Sequence, residues 1–287
     1  MSLYVLFLVL AAALLHASWN LLAKKTGGKT PFIWLQYVAS NLLYLPFLFF
    51  QTKQGHTLHT QPLLWFSLSS AILHLGYFIV LQKGYRTADL SVVYPLARGS
   101  GPLFSSIAAI LFLHEQFKLS STIGLFLIIA GVLIITGLSF KKENNRKIMT
   151  GITYGTLTGI FIALYTINDT IAVKKYTIAP LILTLATNLF SAILLLPFVL
   201  PQKAELKREM KEHKWHIIAI ALLSPAAYIL VLEALKYAPL TLVAPARETS
   251  ILLGVFMGSR VLNEKDGRRR LIASILILGG IVALSLS

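Results

Sequence analysis

PLARGSGPLFSSIAAILFLHE (residues 95–115) and PARETSILLGVFMGSRVLNE (residues 245–264) are two versions of one segment. At an offset of 149 residues Arg98 meets Arg247, and Leu113-His114-Glu115 meets Leu262-Asn263-Glu264. Each arginine follows a proline closely, Pro95 in one copy and Pro245 in the other. The same offset carries Gly131, in LIIAGVLII, onto Gly280, in LILGGIVAL. It also carries Asn20 onto Asp169 and Lys25 onto Lys174. A shift that holds from one end of the chain to the other marks the duplication of half a protein.

Composition says where the halves reside. Of 287 residues 56% are hydrophobic and only 13% charged, with a mean hydropathy of +0.74. A soluble domain of this size needs a more polar surface. The apolar runs are long, and a bilayer core takes about 20 such residues per helix. The first run reads as a span and not as a cleaved leader: no basic residue precedes it, and Lys24-Lys25 follow it. Cysteine is absent, so disulfides and thiolate metal sites are excluded. The net charge of +15 does not signal nucleic acid, because the lysines and arginines cluster in short connectors between apolar runs.

The expectation is an all-α integral membrane protein with ten transmembrane helices, arranged as two inverted five-helix repeats. The spans lie near 3–23, 31–51, 63–83, 88–113, 120–140, 150–173, 178–200, 215–235, 239–260 and 270–286. Residues 1–140 form the first repeat, 141–149 a basic linker and 150–287 the second repeat. The charged stretch 202–214 reads as an amphipathic turn on the membrane surface. Five spans per copy is an odd number, so the second copy enters the membrane upside down. The copies are then related by a pseudo-two-fold axis in the membrane plane, with a site between them as in many carriers. Nineteen of the 26 Lys and Arg residues fall in the connectors after odd-numbered spans and five in the others. The positive-inside rule then puts both termini outside the cytoplasm.

HASWN (16–20) in the first span, LHE and LNE after each fourth span, and a glycine-bearing fifth span in each half resemble the drug/metabolite transporter superfamily. The resemblance is to its ten-helix EamA-type members and covers essentially the whole chain. It implies a secondary carrier of metabolites, often an exporter of amino acids or related compounds, in a cell inner membrane. The loop after span 2 holds one lysine and the tail none, unlike many relatives, so transport direction does not carry over.

Polar residues inside spans are costly in hydrocarbon and mark candidate sites. Arg98 and Arg247 stay charged and match carboxylate or phosphate geometry. They read either as anion contacts facing a central cavity or as braces, Arg247 neutralised by a carboxylate such as Asp169. Their prolines are places where a helix can break. Glu248, Asp169 and His16 are candidates for proton coupling; each also has a structural reading as a paired, interfacial or hydrogen-bonded group. Trp19 and Asn20 share a helix face with His16. His74 pairs with Tyr77 in the same way, Tyr165 with Asp169, and Tyr37 with Asn41 and Tyr44. Trp19, Asn20, Tyr37, His74, Tyr77 and Tyr165 are therefore candidates for the cavity wall. Asn41 and Asn188 read as interhelical glue. Glu115 and Glu264 read as caps or tethers of the turn to the next helix. Gly151, Gly155 and Gly159 read as a packing series.

No GxSxG, HExxH, P-loop or metal-spaced carboxylate cluster is present, so neither an enzyme nor a cofactor is expected. The reading is a secondary transporter of a small metabolite, such as an amino acid or organic anion, working by alternating access and coupled to H⁺ or another ion. A translocator of a lipid or lipid-linked sugar is the alternative. The expected partners are the substrate and the bilayer, with no nucleic acid, in a monomer or homodimer.

Overall fold

Lipid offers the backbone no hydrogen-bond partner, so an apolar run that crosses it must satisfy itself as a helix. The computed structural model describes residues 1–26, 29–53, 60–88, 90–116, 119–136, 145–250 and 267–285, and among them it contains helices and no strand. In order these are α1 (Leu3–Thr26), α2 (Thr30–Lys53), α3 (Thr60–Thr87), α4 (Leu90–Leu113), α5 (Leu119–Thr136) and α6 (Asn145–Lys174). There follow α7 (Pro180–Val199), α8 (Lys203–Glu212), α9 (Lys214–Tyr237), α10 (Leu240–Ala246) and α11 (Gly267–Ser285). All but α8 fall on the ten predicted spans. Six described helices are long and apolar enough to cross a membrane. The ninth span is described only to Ser250, and Leu262-Asn263-Glu264 lie outside the described residues. Large apolar side chains such as Trp65 and Phe112 are 74% and 72% exposed, which places them against lipid.

Two expectations shift. The stretch 202–214 is a helix, not a turn: α8 is tied to Lys29 through Glu205 at 2.9 Å, and its buried Glu209 meets His213 at 2.7 Å. The basic linker is described from Asn145, where α6 already begins.

The helix pairings carry the symmetry. Helices α1–α5 correspond to α6, α7, α9, α10 and α11. Exchanging the copies turns the packed pair α3–α6 into α9–α1, and α3–α7 into α9–α2; all four pairs pack. The exchange leaves α2–α7, α4–α10 and α5–α11 unchanged, and these pack too. The glycines show it atom by atom. A Cβ on Gly131 would lie 2.9 Å from the Ala273 carbonyl and 2.6 Å from Ile277 Cγ1. A Cβ on Gly280 would lie 2.7 Å from the Gly124 carbonyl and 2.6 Å from Ile128 Cγ1. Each glycine faces the repeat-mates of the residues that face the other, so α5 and α11 cross about the axis itself. The fold is therefore two inverted five-helix repeats.

Small residues set the remaining approach, as expected where van der Waals packing drives helix association. A Cβ on Gly155 would meet Leu96 Cβ at 2.7 Å and the Val93 carbonyl at 2.9 Å, and one on Gly159 would collide with Ser100. These two glycines seat α6 on α4.

Candidate functional site

The repeat places two equivalent polar faces at the middle of the molecule. His16, Trp19 and Asn20 of α1 stand at the positions of Tyr165, Asn168 and Asp169 of α6. On α1 the His16 and Trp19 rings meet edge to face at 5.0 Å, and the Asn20 amide donates to the His16 carbonyl at 2.7 Å. Asn20 is thus committed to its own helix. Trp19 Nε1 is buried without a hydrogen-bond partner among the described residues.

The arginines arrive from α4 and from the end of α10. Arg98 Nη2 lies 3.1 Å from His16 Nε2. Arg98 Nη1 is 3.7 Å from Glu248 Oε2, and Arg247 Nε is 3.9 Å from Glu248 Oε1. Arg247 and Glu248 are buried, at 7% and 1% exposure. One carboxylate thus stands between two guanidiniums at distances too long for hydrogen bonds, and its Oε2 accepts none among the described residues. The trio carries a net positive charge.

Local geometry explains how Glu248 reaches both arginines. Neighbours on a regular helix point about 100° apart. Past Pro245 the helix tightens: the Glu248 N–H donates to the Pro245 carbonyl at 3.0 Å, and Ser250 to Arg247 at 3.1 Å, both three residues back. A break after the proline is therefore present in α10. It is absent from α4, which runs unbroken past Pro95 and Arg98.

Asp169 forms the opposite pole. It is 0% exposed. Its Oδ1 accepts from Asn168 Nδ2 at 2.9 Å; its Oδ2 accepts from Ser70 Oγ at 3.0 Å and from the Tyr228 hydroxyl. It is buried among α3, α6 and α9, and among the described residues it makes no ion pair with Arg247. His74 stacks on Tyr165 at 4.0 Å between ring centres; Tyr228 lies 5.7 Å from His74 and Tyr77 lies 6.1 Å from Tyr165. Arg247 is within electrostatic reach of Tyr165 and Tyr228, and of His16 and His74. The aromatic wall thus joins the positive and negative poles.

The model of the EamA-like transporter family matches residues 3–137 and again residues 149–286. The chain belongs to this family. EamA-like proteins are transporters, so the two-pole site of this EamA-like chain lies in a multi-pass membrane transporter. No curated protein matches the chain. A solved crystal structure shares the fold, with a TM-score of 0.76 at 14% identity over 98% of this chain and 96% of its own.

Of the residues singled out in this EamA-like sequence, Arg98, Arg247, Glu248, His16, Trp19, Asp169, His74, Tyr77 and Tyr165 come together. Tyr37 lies beside Ser191 of α7, and among the described residues no hydrogen bond or ring contact joins it to either pole. Asn188 bridges helices, donating to Ser40 of α2 at 3.1 Å, whereas Asn41 only reaches the Tyr37 carbonyl of its own helix. Tyr228, Ser70 and Asn168 were not singled out. Asn168 was legible as the repeat-mate of Trp19; Tyr228 had no polar companion at helical spacing beyond Ser224.

Glu115 has a different partner from the expected one. It caps α10, across the repeat boundary; residues 117 and 118 of the turn to α5 lie outside the described residues. Oε1 accepts from the Leu240 N–H at 2.8 Å, Oε2 from the Thr241 N–H and hydroxyl at 3.0 Å each, and Lys174 Nζ lies 3.1 Å from Oε1. Glu264 lies outside the described residues.

Proposed function

We propose that this protein is a secondary active carrier of a small metabolite bearing an anionic group, working by alternating access between its inverted repeats. The observation that carries this reading is the Arg98–Glu248–Arg247 trio. The repeat-equivalent arginines, one from each half, share one buried carboxylate and leave the trio one positive charge in excess. Guanidiniums so placed suit a carboxylate or phosphate. Trp19, His74, Tyr77 and Tyr165 form the wall against which the rest of the solute rests, with Asn20 beside them on α1. Glu248, Asp169 or His16 carries the coupling proton. The protein lies in a cell inner membrane with both termini outside the cytoplasm and works as a monomer or homodimer.

The test is flux in liposomes holding the purified protein and an internal pH-sensitive dye. Amino acids, organic acids, phosphorylated compounds and amines are presented in turn. The expected result is a saturable signal for an anionic class, abolished in Arg98→Ala and Arg247→Ala while both variants stay monodisperse. Normal flux in both variants overturns the arginine assignment. Silence across the panel, with turnover of a lipid substrate instead, overturns the metabolite reading.

A further inference from the structure

Three groups are candidates for carrying a proton, and the hydrogen-bond directions around Asp169 separate it from the others. The Phe66 carbonyl accepts from Asn168 Nδ2 at 3.0 Å, and a carbonyl can only accept. The amide orientation is thereby fixed, and Asp169 Oδ1 faces a donor that cannot reverse. Asp169 Oδ2 faces only hydroxyls, from Ser70 and Tyr228, and a hydroxyl can donate or accept. A proton added at Oδ2 therefore finds hydroxyls that can turn to accept it, whereas the donor at Oδ1 cannot.

The supply line is also directional. His74 Nδ1 lies 2.8 Å from the Ser70 carbonyl, so Nδ1 carries hydrogen. The same Nδ1 lies 3.2 Å from Ser70 Oγ, which in turn lies 3.0 Å from Asp169 Oδ2. The titratable groups facing Asp169 are His74 of α3 and Tyr228 of α9; Arg247 of α10 acts on those two. The repeat-mate of Asp169 is Asn20, which cannot ionise, so the duplication carries this acid once.

We propose that Asp169 Oδ2 is a binding site for a single proton, loaded from His74 through Ser70 and sensed by Tyr228. His74 takes a proton at Nε2; its Nδ1–H bond breaks as a Ser70 Oγ–H bond forms; the former Ser70 hydrogen bonds to Oδ2. His74 is left neutral with the bond from Nδ1–H to the Ser70 carbonyl lost, so its ring must turn before it reloads, and one proton has moved to Asp169. The protonated Oδ2 becomes a donor, so Tyr228 or Ser70 must turn its hydroxyl away. The contact that joins α6 to α3 and α9 thus depends on the proton. As a coupling device this inference rests on the carrier reading; as a proton site it stands apart from it.

The test is infrared difference spectroscopy of the reconstituted protein between alkaline and acid buffer, which needs no transported solute. The expected result is a carboxylic-acid C=O band that appears on acidification, is lost in Asp169→Asn, and shifts in Tyr228→Phe and Ser70→Ala. Persistence of the same band in Asp169→Asn overturns the assignment. A band that neither Tyr228→Phe nor Ser70→Ala moves overturns the role of Oδ2. Both variants keep the carboxylate, so they decide the matter even if Asp169→Asn does not fold. Loss of the acid band when sodium replaces choline at fixed pH assigns the site to a metal cation and also overturns the proposal. Proton-coupled flux with the band elsewhere would sink this inference alone; the expected band without proton-coupled flux would sink the coupling reading alone.

Discussion

At the scale of single residues, Glu248 is the member of the site whose loss costs most. Its carboxylate stands between Arg98 and Arg247, and it is only 1% exposed. Glu248→Gln leaves the buried Arg247 and the half-buried Arg98 facing a neutral amide. Removing one partner from a buried ion pair costs roughly 3–5 kcal/mol. The expected outcome is a protein with a markedly lower midpoint in thermal unfolding in detergent, partly rescued by a bound anion. A midpoint equal to that of the parent would mean that the arginines are neutralised by other groups. Offset arithmetic alone brought out both arginines, because duplicated charges in hydrocarbon are conspicuous. It did not bring out Tyr228 or Ser70, whose roles depend on a partner in another helix. Asp169 looked interfacial because Lys174 follows five residues later, about 7.5 Å along a helix; that distance still leaves its side chain deep in the bundle.

At the scale of elements, the informative contacts are those that one repeat makes on the other. The N-terminus of α10 is capped by Glu115 from the end of α4, with Lys174 of α6 on the same oxygen as the Leu240 N–H. Loss of a helix cap costs about 0.5–2 kcal/mol. Glu115→Ala is expected to lower the unfolding midpoint by that order and to speed amide exchange at Leu240 and Thr241 specifically. Uniform exchange across α10 would argue against the cap. Sequence could place a glutamate at a helix end, but nothing local announces a partner on a distant helix. Gly155 makes the complementary case. A side chain there would press on the Val93 carbonyl, which is backbone and cannot swing aside. Overpacking of this kind costs typically about 1–3 kcal/mol. Gly155→Val is therefore expected to destabilise the protein, whereas the same change at Gly279, where a Cβ would lie 4.0 Å from Leu127 Cδ1, should be close to silent in thermal unfolding.

At the scale of the whole molecule, the two-fold relation makes the two faces of the bundle structurally alike, so charge must decide which face is which. Nineteen basic residues on one set of connectors against five on the other is a strong bias for a chain this short. The helix order puts Glu115, Lys174 and the start of α10 on the poor face, and α8 with the Lys29–Glu205 pair on the rich one. Were the chain inserted the other way, α8 and its lysines would have to cross the bilayer. The chain has no cysteine, so single introduced thiols report topology without background. In intact cells Lys175→Cys is expected to react with a membrane-impermeant maleimide, and Lys207→Cys to react only after the membrane is opened. The opposite pattern would reverse the orientation, and with it the direction in which a proton loaded at Asp169 could drive a solute. That consequence is why topology comes before any assignment of export or import: a pseudo-symmetric carrier has no intrinsic direction, and only its charges and its gradients supply one.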